Sequence, residues 1–193
     1  MWTHPNDDAG LLSRSLAGDA EAFTALYRRR QSAVYRFALH MSGSAAVADD
    51  VTQETFLALL REGRGFDPSR GPLAAYLAGI ARKQVLKVLS RDRVYEPDDA
   101  LEQRITAWED ALGGLLRRES VEAVRRAVLA LPAQYREVVV LCDLEEMDYA
   151  GAALALGVPV GTVRSRLNRG RRLLMERLGV GREARTATAR CTT

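Results

Sequence analysis

Apolar side chains recur every three to four residues through most of this chain, a pattern that predicts helices. The clearest case lies near the C-terminal end, where one apolar face consists of Tyr149, Ala152, Ala153 and Leu156. Asp148 precedes this face as an N-cap candidate, Gly157 ends it, and Pro159 stands where a next helix would begin. The segment is therefore predicted to be a short helix followed by a tight turn.

The helix after this turn is predicted to have two opposed faces. Its apolar face consists of Val160, Val163, Leu167 and Leu174. Its polar face, called the recognition set below, consists of Thr162, Arg164, Ser165, Asn168, Arg169 and Arg172. A short helix, a glycine turn and a donor-rich second helix are typical of a helix-turn-helix, whose second helix enters the major groove of DNA. The pattern favours DNA binding over an ordinary solvent-exposed basic helix.

Three longer amphipathic helices are predicted in the N-terminal half, over residues 20 to 41, 47 to 62 and 72 to about 91. The middle helix carries an acidic patch, which consists of Asp49, Asp50, Gln53 and Glu54. Paired carboxylates can serve general acid and base chemistry, but no histidine, nucleophile or metal ligand accompanies these in the sequence. Docking of a basic partner is the functional interpretation, and ordinary solubility is the alternative.

A loop rich in glycine and proline, REGRGFDPSRG, joins the second and third of these helices at residues 61 to 71. It carries one aromatic side chain, Phe66, between arginines. The third helix carries a basic stripe, which consists of Arg82, Lys83, Lys87 and Arg91. Cations in register fit a track of phosphates, and an aromatic ring nearby can stack on an unpaired base. The loop and the stripe are therefore a candidate contact for single-stranded nucleic acid.

Charge is distributed unevenly along the 193 residues, although the net charge is only +3. Residues 161 to 182 contain seven arginines and one glutamate, a net of +6, as a nucleic-acid surface requires. Residues 94 to 115 contain six acidic residues and one arginine, a net of −5, together with Pro97 and a pair of glycines. The acidic segment is predicted to be a linker.

These elements predict an all-α protein with two small helical domains joined by an acidic linker, the C-terminal one a helix-turn-helix. The hydrophobic fraction of 47% is sufficient for two cores. The predicted segments are a flexible N-terminus at residues 1–10, a helical domain at 11–93, the linker at 94–117, a helix-turn-helix domain at 118–180 and a flexible, arginine-rich tail at 181–193.

Several classes of protein are disfavoured. Cys142 lies in an apolar run and Cys191 in a polar tail, which argues against a disulfide framework. His4 and His40 have no cysteine or carboxylate at ligand spacing, so no metal and no cofactor are expected. No constellation of nucleophile and base suggests an enzyme or a small-molecule substrate. An apolar signal segment and a run of ~18 apolar residues are both lacking, so no membrane insertion and a cytoplasmic location are expected.

Three stretches of the sequence, in this order, resemble the extracytoplasmic function (ECF) sigma factors of bacteria. They are DDVTQETFLALL, FDPSRGPLAAYLAGIARK and LPAQYREVVVLCDLEEMDYAGAALALGVPVGTVRSRLNRGRRLL, and the acidic segment separates the second from the third. The resemblance covers residues 11 to 180. It implies a noncatalytic initiation subunit that binds core RNA polymerase, reads two promoter elements and helps to open the duplex.

The resemblance also implies roles for the candidate residues. The acidic patch would dock on the clamp helices of core polymerase, the linker would thread the polymerase cleft, and the recognition set would meet the distal promoter element as duplex. The loop residues Phe66, Asp67, Ser69 and Arg70 would capture a flipped base of the non-template strand at the melted element. Arg82, Lys83 and Lys87 on the adjoining helix would hold the edge of the duplex, and these seven residues together are called the melted-element set. Family members often have an anti-sigma factor, which is a further candidate partner.

Three positions depart from the family pattern. Lys83 stands where an asparagine is usual, and Gly151 where an acidic residue is usual. Gly170 is expected to interrupt the recognition helix, at a cost of about 1 kcal/mol relative to alanine. The runner-up hypothesis is a stand-alone transcriptional regulator, in which the same helix-turn-helix is combined with N-terminal helices that dimerise or sense a signal.

Overall fold

Helices account for every regular element in the part of the chain that the computed structural model describes, residues 8–95 and 115–178. They are α1 (Asp8–Leu16), α2 (Ala20–Ser42), α3 (Ala45–Glu62), α4 (Leu73–Tyr95), α5 (Leu115–Leu129), α6 (Ala133–Val139), α7 (Tyr149–Leu156) and α8 (Val160–Leu178). Two 3-10 turns, Gly63–Gly65 and Pro68–Arg70, lie between α3 and α4, and a π-helical turn, Val140–Leu144, follows α6. The all-α prediction is confirmed for these residues.

The predictions for the flexible ends, most of the linker and Cys191 fall on residues 1–7, 96–114 and 179–193, which lie outside the described residues. No helix within residues 8–95 or 115–178 combines the length and the apolar character that crossing a bilayer demands.

Local side-chain signals explain where the helices begin and end. The Asp148 carboxylate accepts a hydrogen bond from the Gly151 amide at 2.6 Å and thereby caps α7, as predicted. Asp19 caps α2 in the same way, through the Ala22 amide at 3.0 Å. Gly157 ends α7 with a φ of 66°, a left-handed conformation that favours glycine. The turn of the helix-turn-helix therefore has the geometry that its sequence predicts.

The N-terminal bundle consists of α2, α3 and α4, with α1 packed on α2. Its largest fully buried side chains are Leu26, Phe37, Met41, Leu59 and Leu77. Helix α1 begins at Asp8, so residues 8–10, which were predicted to belong to the flexible N-terminus, are helical. The reason is that the Asp8 carboxylate is buried and forms ion pairs with Arg29, at 3.1 Å, and with Arg30. This cluster ties α1 to the bundle.

The C-terminal bundle, which consists of α5 to α8, contains one glycine that allows close helix packing and one that lies beneath a helix cap. Gly170 is buried, and a Cβ there would lie 2.7 Å from Cγ2 of Val139 on α6. Helix α8 continues through this position to its end, so the prediction that Gly170 interrupts the helix is wrong. Its missing side chain instead lets α8 approach α6 closely. Gly151 is buried beneath the α7 cap, where a Cβ would lie 2.9 Å from Oδ1 of Asp148.

The two helical bundles pack directly on each other, and their buried side chains form one continuous core. Helix α4 lies against α7. A Cβ at Gly79 would lie only 3.3 Å from the carbonyl oxygen of Ala155, so the two backbones are close at this point. The helix-turn-helix is therefore held against the N-terminal bundle through its first helix.

We expect Asp8→Asn to lower the free energy of unfolding by about 3 kcal/mol, because it removes the carboxylate that pairs with the buried Arg30 guanidinium. Urea unfolding followed by circular dichroism measures the change. The matched control is Arg14→Ala, which breaks the exposed Arg14–Asp19 pair of 2.6 Å and should have a much smaller effect, because water screens exposed ion pairs. Equal losses in the two variants would show that burial of the Asp8 cluster adds nothing.

Candidate nucleic-acid interface

Helix α8 buries one face and exposes the other. Val163 and Leu167 are buried, whereas Val160, predicted to belong to the apolar face, is exposed at the first position of the helix. All residues of the recognition set are exposed except Thr162, which is half-buried. The Ser165 hydroxyl donates to the carbonyl oxygen of Thr162 at 3.0 Å. The structure thus places the remaining donors of the set along the outer surface of the helix.

Arg164 has a defined neighbour within the helix-turn-helix. Its guanidinium carbon lies 5.8 Å from the centroid of the Tyr149 ring, which is cation–π geometry. Arg171, which is not in the recognition set, is instead engaged by Asp143 at 2.5 Å. That hydrogen bond raises the pKa of Arg171 above its ordinary value. Arg171 is therefore held by a carboxylate within the same bundle, while Arg164 lies on the exposed face of α8.

Hydrogen bonds among its own residues hold the loop between α3 and α4. The Asp67 carboxylate accepts one hydrogen bond from the Ser69 hydroxyl at 2.7 Å and another from the Ser69 amide at 2.9 Å. The hydroxyl first and the amide second hold the pKa of Asp67 below its ordinary value. The Phe66 ring packs on Tyr76 with a centroid distance of 5.4 Å. Phe66, Asp67 and Ser69 are thus brought together, and Arg70 is exposed beside them.

The basic stripe on α4 is only partly free to meet a ligand. Lys83, Lys87 and Arg91 are exposed. Nε of Arg82, however, donates to Oε1 of Glu137 on α6 at 2.9 Å, and the Glu137 side chain is only 3% exposed. No local pattern in the sequence indicates this ion pair, because its two members are 55 residues apart.

A cleft of about 430 Å³ lies between the two bundles beside this ion pair. One wall contains Phe66, Tyr76 and Lys83, and the other contains Leu154 and Gly157 at the end of α7. Five members of the melted-element set therefore line this cleft, Phe66, Asp67, Arg70, Arg82 and Lys83, whereas Ser69 and Lys87 lie outside its lining.

The acidic patch lies on α3, and all of its residues are exposed. Glu54 forms an exposed ion pair with Arg61 at 3.3 Å. Leu57 and Leu60, exposed by 40% and 39%, adjoin the patch in a groove that also includes the Tyr27 ring. The sequence pattern predicted only the polar part of this surface, and the exposure of Leu57 and Leu60 is seen in the structure alone. The patch therefore combines carboxylates with apolar side chains.

Within residues 8–95 and 115–178, no group of three or more histidine, cysteine, aspartate or glutamate side chains could hold a metal ion. His40 is half-buried, and burial lowers its pKa. Cys142 is half-buried rather than enclosed in the core, and burial raises its pKa to about 11. Its thiol is therefore protonated at neutral pH and a poor nucleophile.

Comparison with known proteins identifies two matching family regions in this chain. The Sigma-70 region 2 family matches residues 26–94, and the Sigma-70, region 4 family matches residues 121–174. The ECF RNA polymerase sigma factor SigE of Mycolicibacterium smegmatis is 32% identical over 184 residues, which cover 92% of this chain and 71% of SigE. The chain belongs to the ECF sigma factors. It is thus a sigma factor that directs core RNA polymerase to promoters and assists promoter melting.

Solved sigma factors have a similar fold. CnrH, in complex with the cytosolic domain of CnrY, matches with a TM-score of 0.69 and 26% identity, over 91% of this chain and 99% of CnrH. RpoE of Bartonella quintana, in complex with the anti-sigma factor NepR, matches with a TM-score of 0.66 and 25% identity, over 84% of this chain and 99% of RpoE. These matches confirm the predicted family and fold.

The candidate surfaces of this sigma factor divide between its two matched regions. The acidic patch, the loop and the basic stripe lie in region 2, and the recognition set lies in region 4. The partners are core RNA polymerase and promoter DNA. The family is not a class of catalytic enzymes.

We expect Ser69→Ala to raise the pKa of Asp67 toward its ordinary value, because the lost hydroxyl donates the hydrogen bond that most stabilises the carboxylate. Carbon-detected NMR titration of the aspartate side chains measures the shift. The control is Arg70→Ala, which should move this pKa less, because the Arg70 charge is the smallest of the four influences. A larger effect of Arg70→Ala would mean that charge, rather than the turn, organises the loop.

Proposed function

We propose that the recognition set reads the distal promoter element as duplex and that the melted-element set holds the non-template strand. The observation that carries this proposal is the exposure of two separate cationic surfaces, one on α8 and one on α4. Arginine and asparagine recognise base edges in the major groove, which suits Arg164 and Asn168 at the outer face of α8. A duplex that is bound at the distal element by α8 can be opened at the melted element by the loop and α4.

Promoter melting is proposed to occur by capture of an extruded base at the loop. Extrusion costs a few kcal/mol, and binding of the extruded base offsets this cost. The Phe66–Tyr76 ring pair supplies an aromatic surface, and Lys83 and Lys87 supply cations for the adjoining phosphates. The Asp67–Ser69 hydrogen bonds support the proposal, because they fix the loop before DNA arrives.

Docking on core polymerase is assigned to the acidic patch on α3. The four polar residues are exposed, and the neighbouring Leu57 and Leu60 give the same surface an apolar component. Protein interfaces of this kind combine an apolar centre with charges that set orientation. We therefore infer that the patch binds a basic, partly apolar protein surface rather than serving solubility alone.

The remaining parts of the proposal concern the arrangement of the chain. We infer a domain at residues 11–93 and another at 118–180, with the acidic segment from 94 to 117 threading the polymerase cleft as a linker whose charge resembles that of a transcript. An anti-sigma factor is a further proposed partner, because RpoE of Bartonella quintana forms such a complex. The chain itself is proposed to catalyse no reaction.

The docking assignment is tested by reversing charge on α3. We expect Asp49→Lys with Asp50→Lys to weaken binding to core polymerase by about tenfold or more, because like charges would then face a basic partner. Co-elution and fluorescence anisotropy with core polymerase measure the change. The matched control is Glu21→Lys with Glu176→Lys, which makes the same change of charge on other helices and should leave binding nearly unaltered. Unchanged binding in both variants would show that core polymerase docks on another surface than the acidic patch.

Base reading is tested at Arg164. We expect Arg164→Ala to cost about 1–3 kcal/mol of promoter binding and to relax base choice at one position, because a bidentate contact to a base edge is lost. Run-off transcription with core polymerase from a randomised distal element measures it. Arg177→Ala removes an exposed arginine near the end of the same helix and should leave base choice intact. A uniform loss over all sequences in the Arg164 variant would identify a phosphate contact instead.

A further inference from the structure

An aromatic ring from the first helix of the helix-turn-helix lies beside the recognition helix. Tyr149 is the first residue of α7, and Arg164 is the fifth residue of α8. The guanidinium carbon of Arg164 lies over the Tyr149 ring, 5.8 Å from its centroid. Tyr149 is 38% exposed, although its spacing in the sequence predicted only a member of an apolar face. The structure thus places next to the recognition set a residue that the set does not include.

The backbone on both sides of Tyr149 is held in place. The Asp148 carboxylate caps α7 through the Gly151 amide, as described above. The Met147 amide donates to the carbonyl oxygen of Leu141 at 2.9 Å, and the Met147 side chain is buried. Because side-chain torsions fall into a few staggered positions, a fixed backbone leaves the ring few directions in which to point. The ring is therefore a well-defined support for a neighbouring side chain.

Arg164 and Arg171 of the same helix differ in what their guanidinium groups contact. In Arg171, Nε donates to Asp143 at 3.0 Å and Nη2 donates to it at 2.5 Å, so this carboxylate occupies the donors. Among the residues that the structure describes, Arg164 has no carboxylate partner. A ring attracts a guanidinium through its charge and does not take up the N–H groups as a carboxylate does. Arg164 is therefore held while it keeps donors for a base edge.

Holding Arg164 before DNA arrives favours base recognition in particular. Arginine is a long side chain, and ordering it on binding costs conformational entropy, so a side chain that is already held loses less. A bidentate contact to a base edge also depends on the orientation of the guanidinium, whereas attraction to the phosphate backbone depends mainly on charge. The Tyr149 ring should therefore contribute more to base choice than to overall affinity.

We propose that Tyr149 is a positioning residue for base recognition, whose ring holds the Arg164 guanidinium toward a base edge of the distal promoter element. The proposal rests on the assignment of Arg164 to a base edge in the function proposed above. Tyr149 itself contacts no base, and its hydroxyl group is not required. Helix α7 thus contributes to sequence reading by α8 through one side chain at its capped end.

Two substitutions separate the ring from the hydroxyl group. Tyr149→Phe keeps the ring, and Tyr149→Leu removes it while it retains an apolar side chain. Each is made in the full chain, once with Arg164 intact and once together with Arg164→Ala. Run-off transcription with core polymerase, from barcoded templates with a randomised distal element, measures the discrimination between bases at each position. Thermal unfolding measures the stability of every variant in parallel.

We expect Tyr149→Leu to lower discrimination about threefold at the position that Arg164 reads, because the free energy of an exposed cation–π contact corresponds to a change of this size. Tyr149→Phe should preserve discrimination. In the Arg164→Ala background, Tyr149→Leu should have no further effect at that position, because the side chain that the ring positions is gone. A merely structural role would lower transcription from all templates equally, and that result would overturn the proposal.

Other outcomes distinguish this proposal from the proposed function. If Arg164→Ala relaxes base choice and Tyr149→Leu leaves it unchanged or sharper, the proposed function stands and the positioning role is overturned. If Tyr149→Phe loses as much discrimination as Tyr149→Leu, the hydroxyl group rather than the ring acts, which also overturns it. If Arg164→Ala itself leaves base choice intact, the assignment of Arg164 is wrong, and the role of Tyr149 fails with it.

The contact between the ring and the guanidinium is tested separately in the free protein. NMR of the full chain with labelled arginine, assigned with the Arg164→Ala variant, reports the environment of the Arg164 side chain. An aromatic ring shifts the resonances of nuclei over its face, so Tyr149→Leu should move the Arg164 resonances and Tyr149→Phe should largely preserve them. The resonances of Arg177, farther along α8, are the control and should stay in place. Arg164 resonances that do not respond to Tyr149→Leu would overturn the proposal.

Discussion

The burial of two carboxylates against arginines of another bundle is the constraint on which the arrangement of this sigma factor depends. The carboxylates of Glu145 and Glu137 are shielded from water at the interface between the bundles. The charge of each is compensated by one arginine of the N-terminal bundle. Burial raises the pKa of Glu145, and the Arg36 guanidinium opposes that rise. An unpaired buried carboxylate costs several kcal/mol, so the bundles can separate only in a way that lets water reach both groups. Their relative position is therefore fixed by charge as well as by apolar contact.

Small residues bring neighbouring helix backbones close together. The missing side chain of Gly79 leaves room for Ala155, and that of Gly170 leaves room for Val139. Helices α4, α7, α8 and α6 thus form a continuous series of packed neighbours. Arg136 adds a polar connection, since its guanidinium donates to the carbonyl oxygen of Met41 at 2.6 Å, near the end of α2. Cations at helix C-termini are favourable. The recognition helix is thus linked to the first bundle through packed elements rather than through the linker alone.

The sequence predicted those features whose physical causes are local. Asp148 lies three residues from the amide it caps, and Gly157 ends its helix by its own conformation, so both could be identified from spacing. The exposure of most of the recognition set likewise follows from helical periodicity. The Arg82–Glu137 pair joins residues 55 apart, and composition carries no information about such a partner. Gly170 was misjudged for the same reason, because its role depends on Val139, which only the fold brings near.

If Arg82 contacts DNA, as proposed, it can bind either the Glu137 carboxylate or a phosphate. Which of the two contacts is stronger depends on the solvent exposure of the Arg82–Glu137 ion pair. Arg82 keeps 28% of its side chain exposed while Glu137 is almost fully buried, so the pair is only partly screened by salt. Contacts to phosphate lose affinity steeply as salt rises, because they depend on the release of counterions. On the proposed assignment of Arg82, added salt therefore weakens the DNA contact more than it weakens the intramolecular pair. Ionic conditions that loosen promoter complexes would then also favour the packed arrangement, and the two effects would reinforce each other.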